Sequence, residues 1–266
     1  MGKLLNLVVG EHPKELKPEH GLLEQNPAMN GGFLEKVRCG IIKVHRTDVD
    51  RFTESGLVLA NGTPLDVDVI ISATGYDAFH TPYLPDDAIR TPETPPHTAD
   101  LYKLVMPPRY PNLFFLGFIE LFGPLPPAVE AQARYVASLL SGKVKAPTEK
   151  EMMTEIRKRQ KHQEKTYIRS QRHAFTSQYI PYIDGLLEPL GAVPTFGKML
   201  SSVFTGNPIR GLKMLSAVWF GVPSSAQWRL FGHGAKPDLG QETVLRIAEG
   251  KAELSKKEVQ LLSAQI

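Results

Sequence analysis

The sequence predicts an α/β fold with a small β-meander in its first third and a helical carboxyl-terminal region. Three observations carry this. Val67, Val69 and Ile71 alternate with Asp68, Ile70 and Ser72, the period of two of a strand with at least one buried face. Asn61-Gly62 stands just before that run, and both residues tolerate the positive φ that closes a hairpin. Val129, Ala133, Val136 and Leu140 recur at helical spacing, and Thr148-Glu-Lys-Glu151 then spells a capping box.

The chain has 266 residues, enough to bury a sizeable core in one or two domains. Hydrophobic residues make up 42% and charged residues 22%, the balance of a soluble globular protein. A net charge of +3, with acids and bases interspersed, argues against nucleic acid as a partner. Cys39 is the single cysteine, so the chain builds no internal disulfide or thiolate metal cage, and a reducing compartment fits. No apolar run approaches the length of a membrane span, and Leu4–Val9 is too short for a secretory signal. The eight histidines include no His-x-x-x-His pair, so no zinc site is expected.

Taken in order, Leu4–Val9 reads as a buried strand or a helix end. His12-Pro13, Lys17-Pro18 and Asn26-Pro27 then break the chain into loop. Phe33–Arg38 suits a helical turn and Gly40–His45 a short strand. Strands over Arg51–Glu54 and Leu57–Ala60 lead through Asn61-Gly62 into a return strand over residues 66–72. Pro82, Pro85, Pro92, Pro95 and Pro96 make residues 77–100 mostly loop. Leu101–Val105 and Leu113–Leu116 are apolar runs read as strands, the second buried and ended by Gly117. A helix follows Pro127 and runs to about Leu140, with Gln132 placed off its apolar face and Ser141-Gly142 as its stop. Further helices are expected over residues 178–190, 195–204 and 207–220, and Ser255-Lys-Lys-Glu258 caps a last one.

Two stretches suggest chemistry. Residues 66–72 end in Ala73-Thr74-Gly75-Tyr76, where a small residue, a hydroxyl and a glycine let backbone approach another group closely. Gly117, then Gly123-Pro124, then a helix start near Pro126, Pro127 and Ala128 place free amides and a partial positive charge at a strand end. Each stretch also reads simply as a tight turn or an ordinary strand–helix connection. Gly191 to Gly197-Lys198 falls short of a phosphate loop, with five residues between the glycines and Met199 in place of Ser or Thr. Trp219-Phe220 beside Arg210 and Lys213 suits a membrane surface or, more simply, packing on its own domain.

Taken together and in order, these stretches resemble the flavin-containing monooxygenases, of the dimethylaniline N-oxide-forming type. The resemblance rests on Ala73-Thr-Gly-Tyr76, Gly117-Phe-Ile-Glu120, Gly123-Pro124, Pro127 and Glu130-Ala-Gln-Ala-Arg134. It continues through Arg38-Cys-Gly-Ile-Ile-Lys-Val44, Asn61-Gly-Thr63 and Pro147-Thr-Glu-Lys-Glu-Met-Met153 to Gln178-Tyr-Ile-Pro-Tyr-Ile-Asp184 and Trp228-Arg-Leu-Phe-Gly-His-Gly234. No single motif is very specific; their collinearity from about residue 20 to about residue 234 is.

The resemblance implies an α/β, partial two-dinucleotide-binding (FAD/NAD(P)) fold. Residues 1–76 would be the end of the NADP-binding domain with its β-meander, residues 77–145 the return into the FAD-binding domain, and residues 146–266 the helical region. It implies FAD and NADP as cofactors, lined by Thr74, Gly75, Gly117, Glu120, Gly123, Pro126, Pro127 and Ala128. It implies oxygenation of a soft amine or sulfide by O2 and NADPH through a flavin hydroperoxide, with no side-chain acid or base. The family's two Gly-x-Gly-x-x-Gly loops are not in this sequence, so it reads as the carboxyl half of a member. A non-catalytic remnant, half of a split enzyme that self-associates or joins a complementary amino-terminal half, and a Baeyer–Villiger or amine-hydroxylating relative are the alternatives. The expected setting is intracellular, in the cytoplasm or on the face of the endoplasmic-reticulum membrane.

Overall fold

Asn61-Gly62 makes the turn its composition predicts. Gly62 sits at φ +83, and the Thr63 amide donates to Asn61 Oδ1 at 3.1 Å. The turn joins two members of an antiparallel three-stranded meander, β1 (Val49–Phe52), β2 (Gly56–Leu59) and β3 (Pro64–Asp66), in the order β1-β2-β3. Val58 pairs with Pro64 and Gly56 with Asp66. A methyl group on Gly56 would lie 2.0 Å from the Leu65 carbonyl oxygen, so only glycine fits. This computed structural model describes Leu16 and residues 32–251 except Ala78. The readings at Leu4–Val9 and Ser255–Glu258 lie outside the described residues.

The meander stops earlier than its sequence pattern. Residues 67–72 form no strand, and Val69 and Ile71 are 74% and 85% exposed. Beyond the Val67 amide, which donates to the Ser55 carbonyl at 3.0 Å, the alternating run shows no ladder bond and no buried face among the described residues. A strand needs both, because its amides and its apolar side chains are satisfied only by neighbours. Gly40–His45 likewise forms no strand, whereas α1 (Phe33–Arg38) is the helical turn expected there.

The described residues fall into two compact units, residues 32–99 with 158–174 and residues 100–157 with 175–251. In the first, the proline-rich loop is held by local turns and buries Ala88, Ile89 and Thr98. Its Ala99 carbonyl accepts from Arg159 at 2.6 Å and from Gln160 at 3.3 Å.

In the second unit, Leu101–Val105 is buried but turns rather than extends. Lys103 and Leu104 take φ +51 and +53, and Tyr102 bridges to Met106. An apolar run does not distinguish a buried strand from a buried turn, since both exclude water from the same side chains. This turn is held in its costly left-handed conformation: Lys103 Nζ donates to the Gly185 carbonyl at 2.9 Å, and the Tyr182 hydroxyl donates to the Lys103 carbonyl at 2.8 Å. Leu113–Leu116 also forms no strand, one amide bonding back to Val105 at 2.7 Å.

The helices follow the sequence more closely. The second unit contains β4 (Glu120–Leu121), α2 (Leu125–Leu140) and the start of α3 (Glu149–Thr166). It also contains β5 (Thr176–Ser177), α4 (Tyr179–Leu187), α5 (Phe196–Thr205), α6 (Pro208–Phe220) and α7 (Pro237–Ala248). Gly142 at φ +71 follows the end of α2. The capping box at α3 is reciprocal: the Thr148 amide donates to Glu151 Oε2 at 2.7 Å, and the Glu151 amide donates to Thr148 Oγ1 at 3.3 Å. The sequence reading did not include α7. One core gathers the 102–106 turn, α2, α3, α4 and Trp228. A second, smaller core joins Met199 of α5, Met214 of α6, Leu230 and Val244 of α7.

The main core holds two tyrosines whose burial is expected to make the fold sensitive to alkali. Burial, with help from the Glu155 carboxylate and Tyr135, pushes the Tyr102 hydroxyl far above the ordinary 10.0. Burial also raises Tyr135, partly offset by its bond with Tyr102. Both stay protonated when folded, so their contribution is complete below the unfolded value of 10.0 and is lost as pH rises above it. Replacing Tyr102 with phenylalanine is expected to move the midpoint of alkaline unfolding, followed by circular dichroism, to higher pH. An unchanged midpoint would assign alkaline unfolding to other groups.

Candidate functional site

Gly117 closes the Leu113–Leu116 segment at φ +81, a conformation that costs little only without a side chain. Its amide donates to Gln132 Oε1 at 2.8 Å. Gln132 Nε2 donates onward to the Tyr182 hydroxyl at 2.6 Å, and that hydroxyl donates to the Lys103 carbonyl. Gln132 is fully buried. The buried face of α2 is Ala128, Ala131, Gln132, Tyr135 and Val136, whereas Ala133 and Leu140 are exposed. The helix is thus rotated from the face its hydrophobic spacing suggested. A buried amide is tolerated here because the relay occupies both its donor and its acceptor.

Two residues further along α2, Arg134 donates to the Trp228 carbonyl at 3.1 Å and to the His233 carbonyl at 2.9 Å. Burial lowers the pKa of this guanidinium, with nearby Arg229 acting in the same direction. Trp228 Nε1 donates to Asp184 Oδ1 at 2.7 Å. Burial raises the Asp184 carboxyl, partly offset by that bond. Arg229 pairs with Glu130 and donates to the Gly234 carbonyl at 2.9 Å. Three sequence motifs far apart in the chain, Glu130–Arg134, Gln178–Asp184 and Trp228–Gly234, are therefore one bonded cluster. The sequence suggested their importance by collinearity, but it assigned no role to Gln132, Tyr182, Asp184 or Trp228.

The cluster fixes the segment that carries most of the expected site residues. Glu120 begins β4, which pairs in parallel with β5, Glu120 opposite Thr176. The buried Thr176 hydroxyl donates to Glu120 Oε2, so this carboxylate is anchored to protein. Gly123 passes so close to α4 that a methyl group would lie 2.6 Å from the Tyr179 ring. That ring stands edge-on to Trp228, 6.2 Å between centroids.

The amino end of α2 then emerges without a side-chain cap after Pro124. Pro124, Pro126 and Pro127 have no amide hydrogen, so Leu125 alone among the first positions offers a donor, and Ala128 is buried one turn in. Phe122 and Leu125 lie exposed beside this end. Gly117, Glu120, Gly123, Pro126, Pro127 and Ala128 thus share one stretch of the second unit.

Thr74 and Gly75 belong to the first unit, on the exposed segment after β3. Gly75 takes φ +84, and a methyl group there would touch nothing within 4 Å. Its glycine is required by backbone conformation and not by packing. Lys198, after the loop that resembles a phosphate site, donates to the Gly191 and Val193 carbonyls at 2.7 and 3.2 Å. It ties its own loop together. No helix among the described residues is long and apolar enough to cross a membrane.

Residues 1–254 match the model of the flavin-binding monooxygenase-like family. Flavin-containing monooxygenase 5 of Mus musculus is 34% identical over 222 residues, 82% of this chain and 39% of that protein. Dimethylaniline monooxygenase [N-oxide-forming] 2 of Rattus norvegicus is 33% identical over 222 residues, again 82% and 39%. Flavin-containing monooxygenase 5 of Homo sapiens is 34% identical over 193 residues, 71% and 34%. The chain spans about two fifths of the length of the curated relatives it matches.

Proposed function

Because the chain belongs to the flavin-binding monooxygenase-like family, we propose that it forms the flavin-ring side of an FAD- and NADPH-dependent monooxygenase acting on soft nitrogen or sulfur nucleophiles. Bound FAD, reduced by NADPH, would supply activated oxygen, one atom going to the substrate lone pair and the other to water. The observation that carries the reading is the rigid mounting of the α2 amino end: Gly117 is locked to Gln132, Glu120 to Thr176, and Gly123 to the Tyr179 ring. An end with one free amide beside exposed Phe122 and Leu125 suits the flat edge of an isoalloxazine. It suits a pyrophosphate poorly, which calls for several converging amides. The chain's own residues would bind and orient the ring, and the helix terminus would favour negative charge on its pyrimidine edge. No side chain of this chain is assigned a proton-transfer step.

A second reading is that the chain acts with a complementary polypeptide. The exposed Val67, Val69, Ile70 and Ile71 favour it, because a run of alternating β-branched residues gains stability only in a sheet. The test of both is retention of flavin absorbance after incubation with FAD and gel filtration. A retained band with the chain alone supports the first reading. A band that appears only after co-expression with the amino-terminal half of a full-length relative supports the second, and no band in either case removes both. For substrate class, the whole protein is expected to oxidise amines or sulfides. Turnover of a ketone with neither amine nor sulfide oxidised would assign a Baeyer–Villiger activity instead.

A further inference from the structure

We propose that residues 252–266 of this chain fold back as a short helix into the groove between α6 and α7. The groove measures about 450 Å³. One wall is Ala217 and Phe220 of α6, continued by Val222, and the other is Leu245, Ile247 and Ala248 of α7. Met214 of α6 and Val244 of α7 point instead into the smaller core that joins the two helices. Phe220 and Val222 are 80% and 70% exposed, so an apolar wall stands uncovered among the described residues.

The course of the chain identifies the occupant. α7 ends in a Schellman motif: the Gly250 amide donates to the Ile247 carbonyl and the Lys251 amide to the Arg246 carbonyl, each at 3.0 Å, with Gly250 at φ +76. The helix is stopped there, and the chain leaves it past Ala248 and Glu249, which themselves line the groove. The sequence that follows carries a capping box, Ser255 with Glu258, and a hydrophobic staple, Leu254 with Val259. Val259, Leu262 and Ile266 then recur on one helical stripe, with Leu261 off it. A helix over residues 256–266 would be about 16 Å long. That is too short to stand alone in water, and long enough to follow α6 from Lys213 to Phe220. Lys213 lines the groove, and Glu249, also at the groove, is already paired with Lys251 at 3.0 Å, which leaves this cation for Glu258. A second copy of this chain would have to bring its apolar stripe from dilute solution. A segment tethered a few residues away is present at an effective concentration on the order of millimolar. The inference does not depend on flavin binding.

The experiment is hydrogen exchange of the whole chain, read by mass spectrometry over residues 216–222 and 245–250, alongside its oligomeric state by light scattering. Val259→Asp with Leu262→Asp is expected to accelerate exchange in both stretches several-fold and to leave α2 unchanged. Lys257→Asp, on the far side of the same helix, should leave both stretches as they are. Unchanged exchange in the Val259→Asp, Leu262→Asp chain overturns the proposal. Equal acceleration by Lys257→Asp also overturns it, because the stripe would then have no bearing on the groove. So does a dimer that Val259→Asp and Leu262→Asp dissociate, since the groove would then hold the segment of a second copy.

Discussion

Gly232→Ala is expected to unfold the second unit. Gly232 sits at φ +74 in the Trp228–Gly234 motif. A methyl group there would lie 2.4 Å from both the Leu190 carbonyl oxygen and the Gly191 carbonyl carbon, and 2.6 Å from the Ala192 amide nitrogen. All three are backbone atoms, so no rotamer change relieves the contact. The neighbouring His233 amide donates to the same Leu190 carbonyl at 2.9 Å, so separating the strands of chain also breaks a bond. Strain of the left-handed conformation adds about 1–3 kcal/mol to the clash, against a total stability on the order of 5–15 kcal/mol for a domain. The measurement is soluble yield and the denaturant midpoint. Gly142→Ala is the control, because it has a similar φ of +71 with nothing within 4 Å. Equal losses in the two variants would mean that φ alone, and not the crossing at Gly191, decides the effect.

The second large effect is expected at Gln132. Leucine of similar size would leave the half-buried Gly117 amide without its acceptor and remove the donor to the half-buried Tyr182 hydroxyl. Each unsatisfied buried group costs about 1–3 kcal/mol, so a loss of roughly 2–5 kcal/mol is expected by urea unfolding. Tyr182→Phe removes the middle of the same relay and orphans the Lys103 carbonyl. The double variant should therefore lose less than the sum of the single losses. Strict additivity would show that the two bonds are independent. If Gly117 positions flavin, Gln132→Leu should also lower flavin retention at temperatures where the protein remains folded, whereas Tyr102→Phe, outside the hydrogen-bond relay, should not.

Much of the helical region is legible in the sequence because its ends are written in side-chain chemistry. Thr148 and Glu151 satisfy each other's amides, and Asn207 accepts from the Arg210 amide at 3.1 Å to open α6. Such local signals need no tertiary partner. The Asn61-Gly62 turn is legible for the same reason.

The apolar runs mislead because burial and conformation are separate properties. Leu101 and Leu104 are completely buried in a turn whose left-handed φ at Lys103 and Leu104 leaves no mark in composition. Gln132 is read as a surface residue because only the fold brings Gly117 and Tyr182 to it. The candidate site is half legible. The glycines at 75, 117 and 123 are picked out by residue type, whereas two reasons underlie them: backbone conformation at Gly75 and Gly117, a neighbouring ring at Gly123.

The uncovered run at residues 67–71 also governs how the protein behaves in concentrated solution. Four β-branched side chains in the open, without proline or glycine among them, have the composition of segments that nucleate intermolecular cross-β stacking. Asp66 and Asp68 are the gatekeepers, acidic side chains that repel their counterparts in an in-register stack. Shelf life should then shorten when Asp68 is exchanged for asparagine, and lengthen when Ile70 is exchanged for lysine. Thioflavin fluorescence of stored samples reads out both effects.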